Sequence, residues 1–203
     1  RRDRWSLSMR GLVVLAHPNA DSFNHAIAQR ACATLAEAGH EAQLLDLYAL
    51  GVRAAMSAAE RTAYHSDQPL LDPLIAAHVE LLRKAEALVF VYPTWWSSLP
   101  AILKGWLERA MVPGVGFVFN EAGKVRPGLT NVRRIVGIST YGSPRMYVGA
   151  INDNGRRTLT RALRMNCGLR TRCRWLGLYA IDTATAAKRT AFLQRVEKRM
   201  RSL

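Results

Sequence analysis

The chain has 203 residues, of which 49% are hydrophobic and 22% charged, so it suits one folded core and excludes disorder as the main state. The net charge of +14 is uneven: residues 1–120 hold 11 basic and 11 acidic side chains, whereas residues 121–203 hold 18 and 4. Such asymmetry indicates either a solvated surface or an anionic partner. We favour a solvated surface and expect no nucleic-acid partner, because the basic residues are not interleaved with aromatics.

Three cysteines, Cys32, Cys167 and Cys173, form no CxxC pair and have no zinc spacing. Such a sparse, odd set is typical of a reducing compartment, so we expect a cytoplasmic protein without a disulfide scaffold or a metal site. No apolar run reaches the ~18 residues that a membrane span needs. The apolar stretch at 12–16 is also too short for a signal peptide.

Short apolar runs alternate with longer stretches of helical period. Strands are predicted at 12–16, 42–47, 87–92, 132–138 and 174–181. Helices are predicted at 23–38, 71–84, 100–111, 155–167 and 184–200, and a loop with a short helix at 51–70. This alternation implies a parallel sheet with right-handed crossovers. We predict an α/β fold, a flavodoxin-like doubly wound five-stranded parallel sheet with helices on both faces.

Local signals refine these boundaries. Asp21 or Ser22 is the expected N-cap of the first helix, and Gly39 its stop. Gly105 lies inside a predicted helix, where it costs about 1 kcal/mol relative to Ala unless another backbone approaches closely. We expect residues 1–10 to be a flexible N-terminal extension, with Met9 as a candidate start, and residues 11–203 to be one domain.

Ligands of such sheets bind beyond the carboxyl ends of the strands, so the loops that follow them are informative. The loop after the first strand contains no glycine, which excludes the GxGxxG fingerprint. A phosphate could bind instead at the helix N-terminus, with the side chains of Ser22, Asn24 and His17 as donors. The alternative is that Ser22 only caps the helix and His17 only packs.

The next two loops are also unusual. Trp95 and Trp96 are adjacent at the end of a predicted strand, so at least one of them should lie outside the core and line a pocket or an interface. Small residues around Gly142 in the third loop would let backbone N–H groups approach a ligand. The alternatives are a hydrophobic plug and an ordinary polar turn.

The most distinctive run joins an aromatic-Pro pair, a tryptophan and a Pro-Ala-x-Leu-Lys-Gly segment. Its members are Tyr92, Pro93, Trp96, Pro100, Ala101, Ile102, Leu103, Lys104 and Gly105. Together the three loops resemble the NAD(P)H:quinone oxidoreductases of the flavodoxin-like superfamily, which include the DT-diaphorases and the ancillary flavoproteins of potassium-efflux systems. The resemblance runs from about Leu12 to Tyr147.

The resemblance implies roles for individual residues. Those that would hold the phosphate and ribityl chain of a flavin are His17, Ser22, Phe23 and Asn24. Those that would contact the isoalloxazine ring are Pro93, Thr94, Trp95 and Trp96. Those that would border its edge are Ser139, Thr140 and Gly142. Tyr147 matches the active-site tyrosine.

Two departures from the family pattern bear on mechanism. Tyr141-Gly142 stands where the family often has two glycines, and Asp153 stands where animal members have a histidine. The histidine-assisted relay is therefore absent from that segment. Either Tyr147 acts alone, or another group such as Arg145 balances charge at the flavin, or the acceptor differs.

The resemblance implies a homodimeric enzyme that passes a hydride from NAD(P)H through non-covalent FAD or FMN to a quinone-like acceptor. One alternative is a flavin-binding accessory subunit that docks on a protein partner through its basic half. Another is a reductase of azo or nitro compounds, and a third is a binder of anionic surfaces. The residues do not distinguish FAD from FMN or NADH from NADPH as the preferred donor, and they do not identify the acceptor.

Overall fold

Five parallel strands form the central sheet of the part of the chain, residues 8–203, that a computed structural model describes. They are β1 (Arg10–Leu15), β2 (Glu41–Asp46), β3 (Ala87–Thr94), β6 (Arg134–Tyr141) and β7 (Arg172–Leu178). Two short strands, β4 (Phe117–Phe119) and β5 (Val125–Pro127), form a separate antiparallel hairpin. The order in the main sheet is β2-β1-β3-β6-β7, so the direction of winding reverses between β1 and β3.

Helices connect the strands. They are α1 (Phe23–Glu37), α2 (Ala58–Ala63), α3 (Pro73–Lys84), α4 (Ala101–Ala110), α5 (Arg145–Ala150), α6 (Asn154–Arg157), α7 (Arg164–Cys167) and α8 (Ala186–Met200). A π-helical turn, Thr158–Leu163, joins α6 to α7. Within residues 8–203, no helix is both long and apolar enough to cross a bilayer.

Both faces of the sheet are covered, because successive side chains of a strand point in opposite directions. Along β3, Leu88 and Phe90 join one hydrophobic cluster and Val89 and Val91 the other. Residues of α3, α4 and the π-helical turn complete the first cluster, and residues of α1 and α8 complete the second. The predicted flavodoxin-like doubly wound sheet is confirmed.

The shortest elements were not predicted. The β4–β5 hairpin and α5 were not expected, and the helix expected at 155–167 is divided by the π-helical turn. The last strand was expected to reach Ile181 but ends at Leu178. Strands of three residues and helices of one or two turns are too short to show a period in the sequence.

Two local predictions are confirmed. Ser22 is the N-cap of α1, where its Oγ accepts from the His25 N–H at 3.3 Å. A Cβ added at Gly105 would lie 1.9 Å from the carbonyl oxygen of Ala54, so another backbone does pass closely there. Glycine allows that approach, which offsets its poor helix propensity.

The expected N-terminal extension lies mostly outside the described residues, which begin at residue 8. Of the part that is described, Arg10 already pairs with Glu41 in the sheet, and the carbonyl of Met9 accepts from the Glu41 N–H at 3.0 Å. The sheet therefore starts inside the stretch that we expected to be flexible.

Candidate active site

The three loops singled out in the sequence meet at one edge of the sheet. The register pairs Pro93 with Thr140, so the ends of β3 and β6 are neighbours. The Asn24 side-chain amide donates to Thr140 Oγ1 at 3.1 Å, which joins the loop after β1 to the end of β6. The ring of His17 lies 6.0 Å from that of Trp95. The edge lies where the strand order reverses, the usual ligand position in this architecture.

A strained turn follows β3. Trp95 and Ser98 exchange two backbone hydrogen bonds of 3.2 and 3.0 Å. The two central residues, Trp96 and Ser97, have φ values of 47° and 60°, the left-handed region that a type I′ turn requires. Non-glycine residues there cost about 1–3 kcal/mol each and cluster at ligand sites. Trp96 is fully exposed, which confirms that the two tryptophans are not both core.

A cavity of about 250 Å³ opens beside this turn, and we call it the strand-end cavity. Four residues of the predicted site line it: Thr94, Trp96, Gly142 and Tyr147. An aromatic wall from one loop and a small-residue backbone from the other therefore face the same space. That combination suits a planar, partly polar ring.

A Ser-His-Asp chain stands at the N-terminus of α1. Ser22 Oγ lies 2.9 Å from His25 Nδ1, and His25 Nε2 lies 2.9 Å from Asp46 Oδ2. Asp46 thus holds the ring of His25 against the hydroxyl of Ser22, which fixes both side chains at the first turn of α1. His25 was not predicted from the sequence, although a histidine three residues after an N-cap lies within reach of it.

His17 is also oriented for donation. Its Nδ1 accepts from the Asn19 N–H at 3.1 Å, so the neutral ring carries its proton on Nε2. Burial lowers the pKa of His17. The ring therefore offers one N–H donor rather than a cationic charge.

The two departures from the family pattern contact each other. The hydroxyl of Tyr141 donates to both carboxylate oxygens of Asp153 at 3.1 Å. Both residues line the strand-end cavity, and Asp153 has a left-handed backbone with φ 43°. Burial raises the pKa of Asp153, and burial together with this carboxylate raises the pKa of Tyr141. The tyrosine stays protonated, so it acts as a fixed donor.

Some predicted site residues have side chains that pack away from the strand-end cavity. The ring of Phe23 packs 6.5 Å from that of Phe192. Pro93 is buried within β3, and the hydroxyl of Ser139, also buried, lies 2.8 Å from that of Thr94. Only their backbone groups, or their support of neighbours, could serve a ligand.

The fold and this edge together define a class: a doubly wound parallel sheet whose ligand site lies at the switch in strand order. The chain belongs to the Flavodoxin_2 family, described as having a flavodoxin-like fold, which matches residues 9–203.

Individual relatives carry more specific names. NAD(P)H dehydrogenase [quinone] 1 of Rattus norvegicus is 32% identical over 153 residues, which cover 68% of this chain and 56% of the rat protein. Ribosyldihydronicotinamide dehydrogenase [quinone] of Homo sapiens is 27% identical, with 67% of this chain and 65% of that protein covered. The chain thus spans little more than half the length of the rat relative.

Among solved structures, the NAD(P)H:quinone oxidoreductase from Methanothermobacter marburgensis superposes with a TM-score of 0.82 at 24% identity. The match covers 97% of each chain. The FMN-dependent NADH-azoreductase from Bacillus anthracis, in complex with FMN, gives a TM-score of 0.72 at 15% identity, over 96% of each chain. At these identities the structures support the fold.

Proposed function

We propose that this protein is a flavin-dependent oxidoreductase that carries electrons from NAD(P)H to a quinone or a similar small acceptor. The observation that carries the proposal is the meeting of the Trp95–Ser98 turn, the Gly142 backbone and Tyr147 around the strand-end cavity. The names of the rat and human relatives support the same chemistry. A flavin bound here supplies hydride chemistry at its ring, while the protein supplies position and electrostatics.

The residues at the N-terminus of α1 fit a flavin phosphate and ribityl chain. The first turn of α1 has unpaired backbone N–H groups and a positive dipole end. Asn24 is 4% exposed, and its Oδ1 has no hydrogen-bond partner among the described residues. A ligand hydroxyl would satisfy that buried acceptor. His17 and Ser22 would donate to the phosphate, and the bound cofactor is non-covalent FAD or FMN.

Tyr147 is the proposed catalytic residue. It is exposed at the wall of the strand-end cavity, where its hydroxyl would meet an incoming acceptor. Tyr141 and Asp153 would orient the adjacent Gly142 backbone rather than exchange protons, because Tyr141 stays protonated.

We further propose that the protein works as a homodimer in the cytoplasm. Trp96, Met146 and Tyr147 expose large apolar surfaces around the site, and a second copy would cover them. Cys32, Cys167 and Cys173 are all free thiols, which supports a reducing compartment. Light scattering during size-exclusion chromatography tests the dimer, and a monomer at micromolar concentration would contradict it.

The decisive experiment is reconstitution with FMN and, separately, with FAD, followed by anaerobic addition of NADPH. We expect one flavin to bind with quenched fluorescence and its visible absorbance to bleach on addition. Trp96→Gly should bind the flavin more weakly, whereas Trp175→Phe, away from the strand-end cavity, should not. A protein that binds neither flavin would overturn the proposal and leave a binding role for this scaffold.

A further inference from the structure

A second cavity, of about 390 Å³, adjoins the strand-end cavity. The two cavities share Val148 and Asp153 in their linings, so they are contiguous. The residues that distinguish the second cavity are four arginines: Arg145, Arg156, Arg157 and Arg161. We call it the arginine cavity.

The positive charge of the arginine cavity is not balanced within the described residues. All four arginines are exposed, and none of them forms an ion pair with a carboxylate of residues 8–203. Asp153 is the one acidic residue among the described residues of the lining, and its single charge, which acts on Arg156 and Arg157, offsets at most one of the four arginines. The concave surface therefore keeps an excess of guanidinium groups that repel one another, which a bound polyanion would relieve.

The local backbone conformation brings these arginines close together. Arg157 and Arg161 are four residues apart, a spacing that brings like charges together on one side of a helix at a small cost in stability. Arg161 lies in the π-helical turn, a rare conformation that is frequent at functional sites. The guanidinium of Arg156 stands 5.9 Å from the centre of the Trp175 ring, which restricts its position.

The geometry points to the arginine cavity as the binding site of the 2′-phosphate of NADPH, which makes NADPH rather than NADH the preferred electron donor. This inference rests on the proposed function, since it stacks the nicotinamide on a flavin ring held in the strand-end cavity and places the phosphorylated ribose in the adjoining arginine cavity. Guanidinium forks bind phosphate oxygens in pairs and suit such a group. The pyrophosphate common to both donors carries two charges, and the 2′-phosphate adds about 1.5 to 2 more, by analogy with phosphorylated side chains.

The test compares variants of the arginine cavity with a matched control. Arg157→Gln and Arg161→Gln each remove one charge there, whereas Arg133→Gln removes one exposed charge from the amino end of β6. In the flavin-loaded protein, we expect the ratio of kcat/KM for NADPH to that for NADH to fall about tenfold in each cavity variant. The ratio should not change in the control.

A second readout does not need flavin. Calorimetric titration with adenosine 2′,5′-bisphosphate should show binding that weakens about tenfold in the cavity variants and with added salt, and 5′-AMP should bind much less. If flavin binds and both donors react equally well in every variant, the arginine cavity is not a phosphate site, although the oxidoreductase stands. If no flavin binds yet the bisphosphate titration behaves as expected, the oxidoreductase proposal fails and the anion site stands.

Discussion

Arg109 and the arginines of the arginine cavity place the same side chain in opposite surroundings. Arg109 is 2% exposed, and its Nε donates to Glu60 Oε1 at 2.7 Å while another nitrogen donates to the Arg53 carbonyl at 2.8 Å. A third contact, of 2.5 Å, reaches Asp72. Arg157 is exposed and has no such carboxylate partner within the described chain.

The difference separates a structural charge from one available to a ligand. A buried guanidinium is tolerated only when it is fully paired, because its desolvation costs several kcal/mol. Glu60 also accepts from the Ser57 N–H at the start of α2, and Asp72 accepts from the Leu74 N–H at the start of α3. Arg109 thus ties α4 to two helix N-termini. Exposed arginines without an ion-pair partner contribute little to the free energy of folding, so their charge is available to a ligand.

The largest expected effect is a loss of stability when the buried Arg109 is replaced. Arg109→Met should lower the free energy of unfolding by about 3–5 kcal/mol, because it leaves two carboxylates without their cation. Urea denaturation measures the change. Arg133→Met, at an exposed position, is the control and should stay within about 0.5 kcal/mol of the parent. A loss below about 1 kcal/mol in Arg109→Met would contradict the structural role.

Unfolding free energies measured at several pH values test the pairing of Arg109 with Glu60 and Asp72. Hydrogen bonding to Arg109 holds the pKa of Asp72 below its usual value of 3.8, and the pKa of Glu60 is also lowered because bonds from Ser57 and Arg109 outweigh burial. A lowered folded-state pKa contributes stability above the unfolded value that is lost as pH falls. We therefore expect unfolding free energy to fall below about pH 4.5 in the parent, and less steeply in Arg109→Met. Parallel pH curves would argue against the coupling.

The contribution of Asp153 to stability should change with pH in the direction opposite to that of Asp72 and Glu60. Because burial raises its folded-state pKa, its contribution is fully present at low pH and is lost as pH rises above its usual 3.8. Asp153→Asn keeps an acceptor for Tyr141 and tolerates the left-handed backbone. We expect this variant to be more stable than the parent at pH 7 by up to about 1 kcal/mol, with the gain vanishing near pH 3. Thermal melts across that range measure it, and a constant difference would contradict the assignment.

The smallest effect belongs to the arginine cavity. Arg161→Gln removes the i,i+4 repulsion with Arg157, so it should stabilise the ligand-free protein by about 0.2–0.5 kcal/mol at low salt. Added salt should erase the gain. Destabilisation of more than about 1 kcal/mol would instead indicate that the side chain stabilises the fold, as Arg109 does.

Much of the fold could be predicted from local patterns. The apolar run of β3 indicated a strand buried on both faces, and the four-residue period of α1 indicated a helix. The β4–β5 hairpin and α5 were missed, because three to six residues carry no readable period. For the site, the three loops could be located, since parallel strands deliver their carboxyl ends to one edge. Side-chain orientation could not, and Phe23 packs against Phe192 instead of facing the strand-end cavity.

The layered sheet and the position of its carboxyl edge follow from the sequence, because hydrophobic period and chain direction are local properties. The need for glycine at position 105 follows from packing, because the carbonyl of Ala54 passes there. Which polar and charged side chains contact each other depends on the tertiary structure. Tyr141 reaches Asp153 across 12 positions, Arg109 reaches Glu60 across 49, and Arg145 joins the later arginines of the arginine cavity. Such contacts depend on how helices pack on the sheet, and electrostatic energies at short range depend on distances that only packing sets.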